Sequence, residues 1–254
     1  HNGWVRSLDV SPDGKLVATG GNDNQVKLWN AADGKLVREF TGHARHVYNV
    51  TFHPQGKFLL TGDLMGVLNQ WDVATGKLVR PFDAKALHTY EGGQQVDYGG
   101  VRAIAVSPDG KWLAAGGLYK GTNPLGAVNE PLVLLFNWES QKIEKQQIAE
   151  GIPGGVIWRL RWLADGSLMG VSGGTTGGFL LFWKPDAEKA VEAWVGAVMS
   201  GDVARIKAVH EAVDDSDGGL GIALERLGEL HLAACAAGAP RSEALAERLF
   251  RMEL

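Results

Sequence analysis

Apolar and polar residues alternate along Val5-Arg6-Ser7-Leu8-Asp9-Val10, and an apolar run resumes at Leu16-Val17-Ala18-Thr19-Gly20 after a Ser11-Pro12-Asp13-Gly14 break. Strand-like patterning on both sides of such a turn predicts two half-buried strands joined as a hairpin. A second pair, Gln25 to Asn30 and Leu36 to Phe40, turns through Ala32-Asp33-Gly34-Lys35. Four short antiparallel strands are therefore expected before the pattern begins again.

It begins again three times. The turn returns as His53-Pro54-Gln55-Gly56, as Ser107-Pro108-Asp109-Gly110 and, degraded, as Leu163-Ala164-Asp165-Gly166. Ser11 and His53 stand 42 positions apart, as do Trp29 and Trp71. A period of roughly 40–45 residues is that of a four-stranded propeller blade. The second unit repeats the outer strand pair as Val67 to Asp72 and Leu78 to Arg80, through Ala74-Thr75-Gly76-Lys77.

The third unit carries an insertion from Tyr119 to Pro131, since Ser107 to Phe136 spans 29 positions where Ser11 to Trp29 spans 18. Loops of that length are usually functional or mobile. The fourth unit, Val156 to Phe182, keeps the strand rhythm, with Phe182 standing where a tryptophan is expected. Four blades is the lower limit for a closed ring, so a ring and an open arc both remain. An arc leaves strand edges that pair with missing blades of a longer chain or with a second copy. His1 opens the chain within a repeat motif, so the count of four is read as a minimum.

Ser11-Pro12-Asp13-Gly14-Lys15, Ala18-Thr19-Gly20, Trp71-Asp72 and Thr41-Gly42-His43 together resemble WD repeats, over about residues 1–186. The resemblance implies a structural tetrad in each blade: a histidine before the first strand, Ser/Thr on the second, Asp in the next turn and tryptophan on the third. In the first blade these are His1, Thr19, Asp23 and Trp29. The second offers His43, Thr61 and Trp71, but Met65 matches Asp23, so its histidine is expected to lack a carboxylate and its blade to be held less rigidly. The resemblance also implies that loops entering each blade's first strand gather round one mouth of the channel. Trp4, Arg6, His46, Tyr48, Arg102 and Trp158 occupy such positions. Aromatic and arginine side chains are the types enriched in binding hot spots, and packing within a blade is the alternative role for Trp4 and Trp158.

The strand pattern ends at Lys184-Pro185-Asp186, and residues 187–254 turn to Ala, Leu, Glu and Arg with apolar positions three and four apart. That spacing predicts helices. Asp186 caps one through Met199, Gly201-Asp202 starts another through about Val213, and two more run from about Gly228 to Ala237 and from Pro240. Ala197 to Val209 and Leu230-His231-Leu232-Ala233-Ala234 resemble ankyrin-repeat helices, although Gly201 to Gly238 spans 37 positions against about 33 for a regular unit. The expected fold is thus mainly β, propeller blades over residues 1–186 followed by a helical C-terminal segment over residues 187–254.

A net charge of −4 argues against a surface dominated by phosphate contacts, so nucleic acid is not an expected partner. Cys235 is the single cysteine, which removes intrachain disulfides and multi-cysteine metal sites. The first residues show no basic and apolar leader, and no apolar run reaches a membrane span; a cytoplasmic location without membrane partners is expected.

Searching for chemistry leaves little. His1, His43, His46, His53, His88, His210 and His231 have no metal-ligand spacing. Gly173 to Gly178 lacks a phosphate loop's Gly-Lys-Ser/Thr ending and reads as a wide strand-to-strand turn. Asp214-Asp215-Ser216-Asp217-Gly218 lacks a calcium loop's alternate ligands and reads as a solvated linker. No metal, cofactor or catalytic residue is therefore expected. The sequence predicts a non-catalytic protein–protein interaction scaffold working through propeller loop faces and the helical tail. A small-ligand-binding or enzymatic propeller using the mouth and the 119–131 insertion is the alternative.

Overall fold

The structure, a computed structural model, describes residues 1–121, 130–149, 155–163, 166–174 and 177–183. Within them the alternating segments form antiparallel meanders whose strands neighbour one another in chain order. Blade 1 consists of β1 (Val5–Val10), β2 (Leu16–Gly21), β3 (Val26–Asn30) and β4 (Leu36–Phe40). Blade 2 consists of β5 (Val47–Phe52), β6 (Phe58–Asp63), β7 (Val67–Asp72) and β8 (Leu78–Asp83). A 3-10 turn at Lys85–Leu87 leads into a separate hairpin of β9 (His88–Glu91) and β10 (Val96–Gly99). Blade 3 consists of β11 (Ala103–Val106), β12 (Trp112–Tyr119), β13 (Glu130–Asn137) and β14 (Ile143–Ile148), and blade 4 of β15 (Val156–Trp162), β16 (Leu168–Gly174) and β17 (Gly177–Trp183). The chain is mainly β. There is no α-helix among the described residues, and the helices and ankyrin-like register expected over 187–254 lie outside them.

Part of the insertion in the third unit is strand, because Leu118 pairs with Pro131 and Tyr119 with Glu130; its remainder, residues 122–129, lies outside the described residues. The glycine run expected as a wide turn is narrower, since β16 and β17 stay paired up to Gly174 and Gly177.

The turns form for a local reason. Asp13 Oδ1 accepts the Ser11 hydroxyl at 2.7 Å and the Lys15 amide at 3.1 Å. Asp109 does the same with Ser107 at 2.6 Å and Lys111 at 3.0 Å. Hydrogen bonds to the ionised form, the serine hydroxyl's first, hold both carboxyls below the usual carboxylate value.

The tetrad of blade 1 is complete as expected. Trp29 Nε1–H donates to Thr19 Oγ1 at 2.8 Å, Thr19 Oγ1 lies 2.7 Å from His1 Nε2, and His1 Nδ1 lies 2.8 Å from Asp23. With Nδ1–H given to the carboxylate, Nε2 accepts the threonine hydroxyl, so each group is used in sequence.

Blade 2 departs from expectation, because its histidine does have a carboxylate. His43 Nδ1 lies 2.8 Å from Asp63 Oδ2 and Nε2 2.6 Å from Thr61, which also accepts Trp71 Nε1–H at 2.7 Å. The other Asp63 oxygen accepts the amides of Met65 at 2.9 Å and Val67 at 3.0 Å. Asp63 holds the register position of Gly21, and a Cβ placed on Gly21 would lie 3.0 Å from Asp23 Oδ1. One carboxylate site is thus reached from two backbone positions: the turn in blade 1 and the strand end in blade 2. The looser blade expected from Met65 loses its premise.

Blade 4 holds a second correction. Val17 pairs with Trp29 and Leu59 with Trp71; the matching pair in blade 4 is Leu168 with Trp183, while Phe182 pairs with Met169. Trp183 is the tryptophan of this blade and is fully buried. Gly170 occupies the threonine position beneath it.

Apolar faces of successive blades meet in three slabs. Ala18, Leu28, Val47 and Val50 belong to the first, Leu60, Leu68, Val101 and Ile104 to the second, and Ala114, Val133, Ile157 and Leu160 to the third. Polar ties cross the same interfaces, with Asp9 Oδ2 accepting the Phe52 amide at 2.7 Å and Ser7 Oγ the Val50 amide at 3.3 Å. A clamp recurs on the outer strands. Arg38 donates to the carbonyls of Thr75 and Ala74, and Arg80, in the same register, to those of Trp138 and Glu139 in the next blade.

Candidate functional site

The inner strands carry a repeated irregularity. The pairing register shifts between Val5 and Ser7, between Val47 and Asn49, and between Ile157 and Arg159, so Arg6, Tyr48 and Trp158 are bulged residues at one structural position. Arg102, between Val101 and Ala103, takes that position in blade 3. A bulge takes a side chain out of the alternation and re-aims it, and here each blade re-aims one toward the same place.

The four side chains meet. The Arg102 guanidinium stacks on the Tyr48 ring at 3.6 Å from its centroid and lies 5.8 Å from that of Trp158. Arg6 lies 5.7 Å from Tyr48 and 4.9 Å from Trp4. His46 meets Tyr48 edge-on at 6.4 Å. The six residues expected from the sequence are therefore one contiguous cationic and aromatic cluster. Trp4 is 70% exposed; Trp158 is 49% exposed and also donates its indole N–H to the Gly173 carbonyl of its own blade at 3.1 Å.

Between the blades lies a cavity of about 190 Å³ lined by Arg6, Ser7, Tyr48, Asn49, Arg102, Trp158 and Arg159. Ser7, Asn49 and Arg159 were not read from the sequence, although each follows a bulged residue and shares one register position. The Arg6 and Arg102 guanidiniums are positioned by neutral groups. Arg6 Nε donates to Asn22 Oδ1 at 2.7 Å and Arg102 Nε to the Gly99 carbonyl at 2.8 Å. Arg6, Arg102 and Arg159 form no ion pair among the described residues. Burial, above all, lowers the Arg102 pKa from its ordinary value; Tyr48 opposes the shift and the like charge of Arg6 adds to it. Asp9 feels the charge of Arg159: burial, above all, raises its pKa, while the Phe52 and Val10 amides and Arg159 pull it down.

The β9–β10 hairpin, not foreseen from the sequence, supplies the Gly99 carbonyl. It is held by a 2.9 Å pair between His88 and Asp97, and Gly99 and Gly100 at its exit have φ of 89° and 87°. Glycine is needed there, because a Cβ on Gly99 would run into the Leu87 carbonyl. The signal was present as Thr89-Tyr90-Glu91 and Val96-Asp97-Tyr98 around Gly92-Gly93. No group of histidine, cysteine and acidic residues with metal-binding geometry occurs among the described residues, nor does a helix there have the length and apolarity to cross a membrane.

Three segments, residues 1–30, 34–72 and 84–121, match the profile of the WD domain, G-beta repeat. A 52-residue stretch is 46% identical to mouse (Mus musculus) transducin beta-like protein 3, covering 20% of this chain and 6% of that protein. A 35-residue stretch is 54% identical to the small ribosomal subunit protein RACK1 of Glycine max, covering 14% and 11%. Over 51 residues the chain is 43% identical to the pre-mRNA-splicing factor PRP46 of Kluyveromyces lactis, covering 20% and 12%. The matched stretches therefore span about a tenth or less of these relatives' lengths. In structure the chain is similar to U3-55K, with a TM-score of 0.57 at 15% identity, over 75% of this chain and 51% of that one. That likeness speaks to the fold alone. Residues 1–30, 34–72 and 84–121 thus match WD40 repeats, and the fold around them is that of β-propeller blades.

Proposed function

We propose that this protein is a non-catalytic interaction scaffold that seats an anionic side chain of a protein partner at the channel mouth, between Arg6 and Arg102. One observation carries the reading: two guanidiniums without a carboxylate partner among the described residues face a cavity walled by Tyr48 and Trp158. An unpaired cation beside an aromatic wall is an anchor awaiting its counter-charge, and a bidentate guanidinium–carboxylate contact supplies both energy and direction. The relatives' names place them in ribosomal and splicing settings, and a repeat fold used to hold other proteins agrees with the proposal.

The test uses synthetic peptides of one length bearing Glu, phosphoserine or Ala at a central position, followed by tryptophan fluorescence of the full chain. The acidic peptides are expected to bind and the alanine peptide not, with affinity falling as salt rises. The Arg6→Glu, Arg102→Glu double variant should lose binding. Equal binding of the alanine peptide, or unchanged binding by the variant, overturns the reading.

The small-ligand or enzymatic alternative would draw on the same mouth. A cavity of about 190 Å³ is smaller than the roughly 300–1,000 Å³ of typical small-molecule sites and favours an anchor for one side chain. The reading keeps nucleic acid and membrane outside the partner class on the net charge of −4, and keeps a cytoplasmic location on the single Cys235.

A further inference from the structure

The cavity between the blades holds more positive charge than one carboxylate can answer. Arg6, Arg102 and Arg159 line it, and no acidic side chain among the described residues does. Asp9, which feels the charge of Arg159, lies outside the lining. Its two oxygens are taken by the Phe52 amide at 2.7 Å and the Val10 amide at 2.9 Å. Setting its one negative charge against the three guanidiniums leaves two positive charges around one small space. Beside the larger effect of burial, the like charge of Arg6 works against the charged form of Arg102. A ligand with two negative charges relieves that repulsion more fully than a ligand with one.

The third guanidinium comes from a single departure in the repeat. Ser7, Asn49, Ala103 and Arg159 share a register position, each following the re-aimed residue of its inner strand. In blades 1 and 2 that side chain is short, uncharged and spent on the neighbouring blade. Ser7 Oγ accepts the Val50 amide at 3.3 Å, and Asn49 Nδ2 donates to the Arg102 carbonyl at 3.1 Å. In blade 3 it is a buried alanine. Blade 4 instead extends a charged fork from it, and Arg159 is exposed, with no ion pair among the described residues. Three blades pack without a long cation at this position, so packing does not call for one in the fourth.

We infer that Arg159 makes the seat selective for a phosphate monoester, so that the partner's anionic side chain is a phosphorylated serine or threonine and docking follows its phosphorylation. The inference rests on the proposed reading of Arg6 and Arg102 as an anion seat. A carboxylate brings two oxygens and one charge, whereas a phosphoserine brings three terminal oxygens and about −1.5 to −2 charge near pH 7. Forks arriving from blades 1, 3 and 4 can each take a different oxygen of a phosphate, which a carboxylate cannot offer. Two of them are fixed before a ligand arrives, since Arg6 Nε is committed to Asn22 and Arg102 Nε to the Gly99 carbonyl. The exposed Trp4 ring beside Arg6 and the half-exposed Trp158 ring beside Arg102 add apolar surface that a peptide uses and a free phosphate ion does not.

Isothermal titration of the full chain tests this with peptides of one sequence bearing phosphoserine, its methyl phosphodiester, Glu or Ala at the central position. The phosphoserine peptide should bind roughly tenfold or more tighter than the Glu peptide. The diester keeps the phosphorus and loses one charge, and should fall to the level of Glu. Inorganic phosphate should bind more weakly than the phosphopeptide by roughly a hundredfold or more. Arg159→Gln should bring the phosphoserine peptide to within roughly threefold of the Glu peptide and leave the affinity for Glu nearly unchanged. Equal affinity of wild type for phosphoserine and Glu overturns the inference and leaves the anion seat standing, whereas binding of neither overturns both. A diester as tight as the monoester overturns it in favour of nucleic-acid phosphate, and inorganic phosphate as tight as the peptide overturns it in favour of a free phosphate ion. A phosphoserine preference that survives Arg159→Gln overturns the assignment to Arg159. The wild-type comparisons stand whether or not that variant folds.

Discussion

Blade 2 and blade 4 place a tryptophan in the same seat and surround it differently. Trp71 leads into a chain through Thr61 and His43 to Asp63, in which each buried polar atom has a partner. Trp183 lies over Gly170, whose Cβ position is 2.7 Å from its ring. Neither its indole N–H nor the buried Ser172 hydroxyl has a partner among the described residues. Among the described residues packing alone holds Trp183, through the large apolar area of the ring; packing and a polarised chain hold Trp71. The pairing register thus decides where the tryptophan sits, and the hydrogen-bonded chain beneath it is a separate device that a blade can lack.

The largest effect should come from cutting that chain at its buried end. Asp63→Ala leaves His43 Nδ1 and the amides of Met65 and Val67 without an acceptor, and urea denaturation should register a loss of about 3 kcal/mol. Met65→Ala should cost less than about 1 kcal/mol, being outside the chain. Similar losses would mean that the carboxylate does not distinguish the blade.

The next effect compares the tryptophans directly. Trp71→Phe removes the donor to the Thr61 oxygen, whose hydroxyl keeps its His43 contact, whereas Trp183→Phe removes an N–H that has no partner among the described residues. Both lose ring volume, so the difference isolates the hydrogen bond: Trp71→Phe should be the more destabilising by about 1–2 kcal/mol. Equal costs in chemical denaturation would show that Trp183 donates after all.

A smaller effect separates the turns. His53 stands where blades 1 and 3 have serine; its Nδ1 accepts the Gln55 amide at 3.2 Å, and its buried Nε2 has no partner among the described residues. Burial lowers its pKa from the ordinary 6.5. As pH falls through that ordinary value, the unfolded chain takes up the proton first. His53 therefore contributes a stability loss that is absent above pH 6.5 and develops as pH falls toward the folded-state value. Melting temperature should drop from pH 7 to pH 5, and His53→Ser should flatten that slope. The smallest effect belongs to the outer clamps: Arg38→Ala, at an exposed pair of hydrogen bonds, should cost about 0.5–1 kcal/mol, and Arg80→Ala more, because its guanidinium also stacks 5.0 Å from the Trp138 ring.

Much of this was legible without coordinates. Period-two alternation between Pro-Gly turns marked nearly every strand, because a strand between two blades must place alternate residues on its faces. The members of the arginine and aromatic cluster were legible too. Arg6, Tyr48, Arg102 and Trp158 were found by their place before the first strand of each unit, and they prove to be one bulge position repeated four times. Two misassignments had one cause: matching along the chain to the first repeat put Met65 in the place of Asp23 and Phe182 in the place of Trp29. Linear counting does not see register, and register is what brings Asp63 and Trp183 to those places.

By itself the sequence determined the repeat, the turns and the residue types at the mouth, since each depends on neighbours within a few positions: a serine for its aspartate, a glycine for its positive φ, an apolar residue for the next on its face. The tertiary structure alone decided which side chains share a site. Asp63 reaches the carboxylate position from a strand end, and Arg6 and Arg102 converge on one cavity from different blades. The physical reason is that a blade cannot bury its own faces. What a face becomes depends on the blade laid against it, and that information lies about one repeat away along the chain.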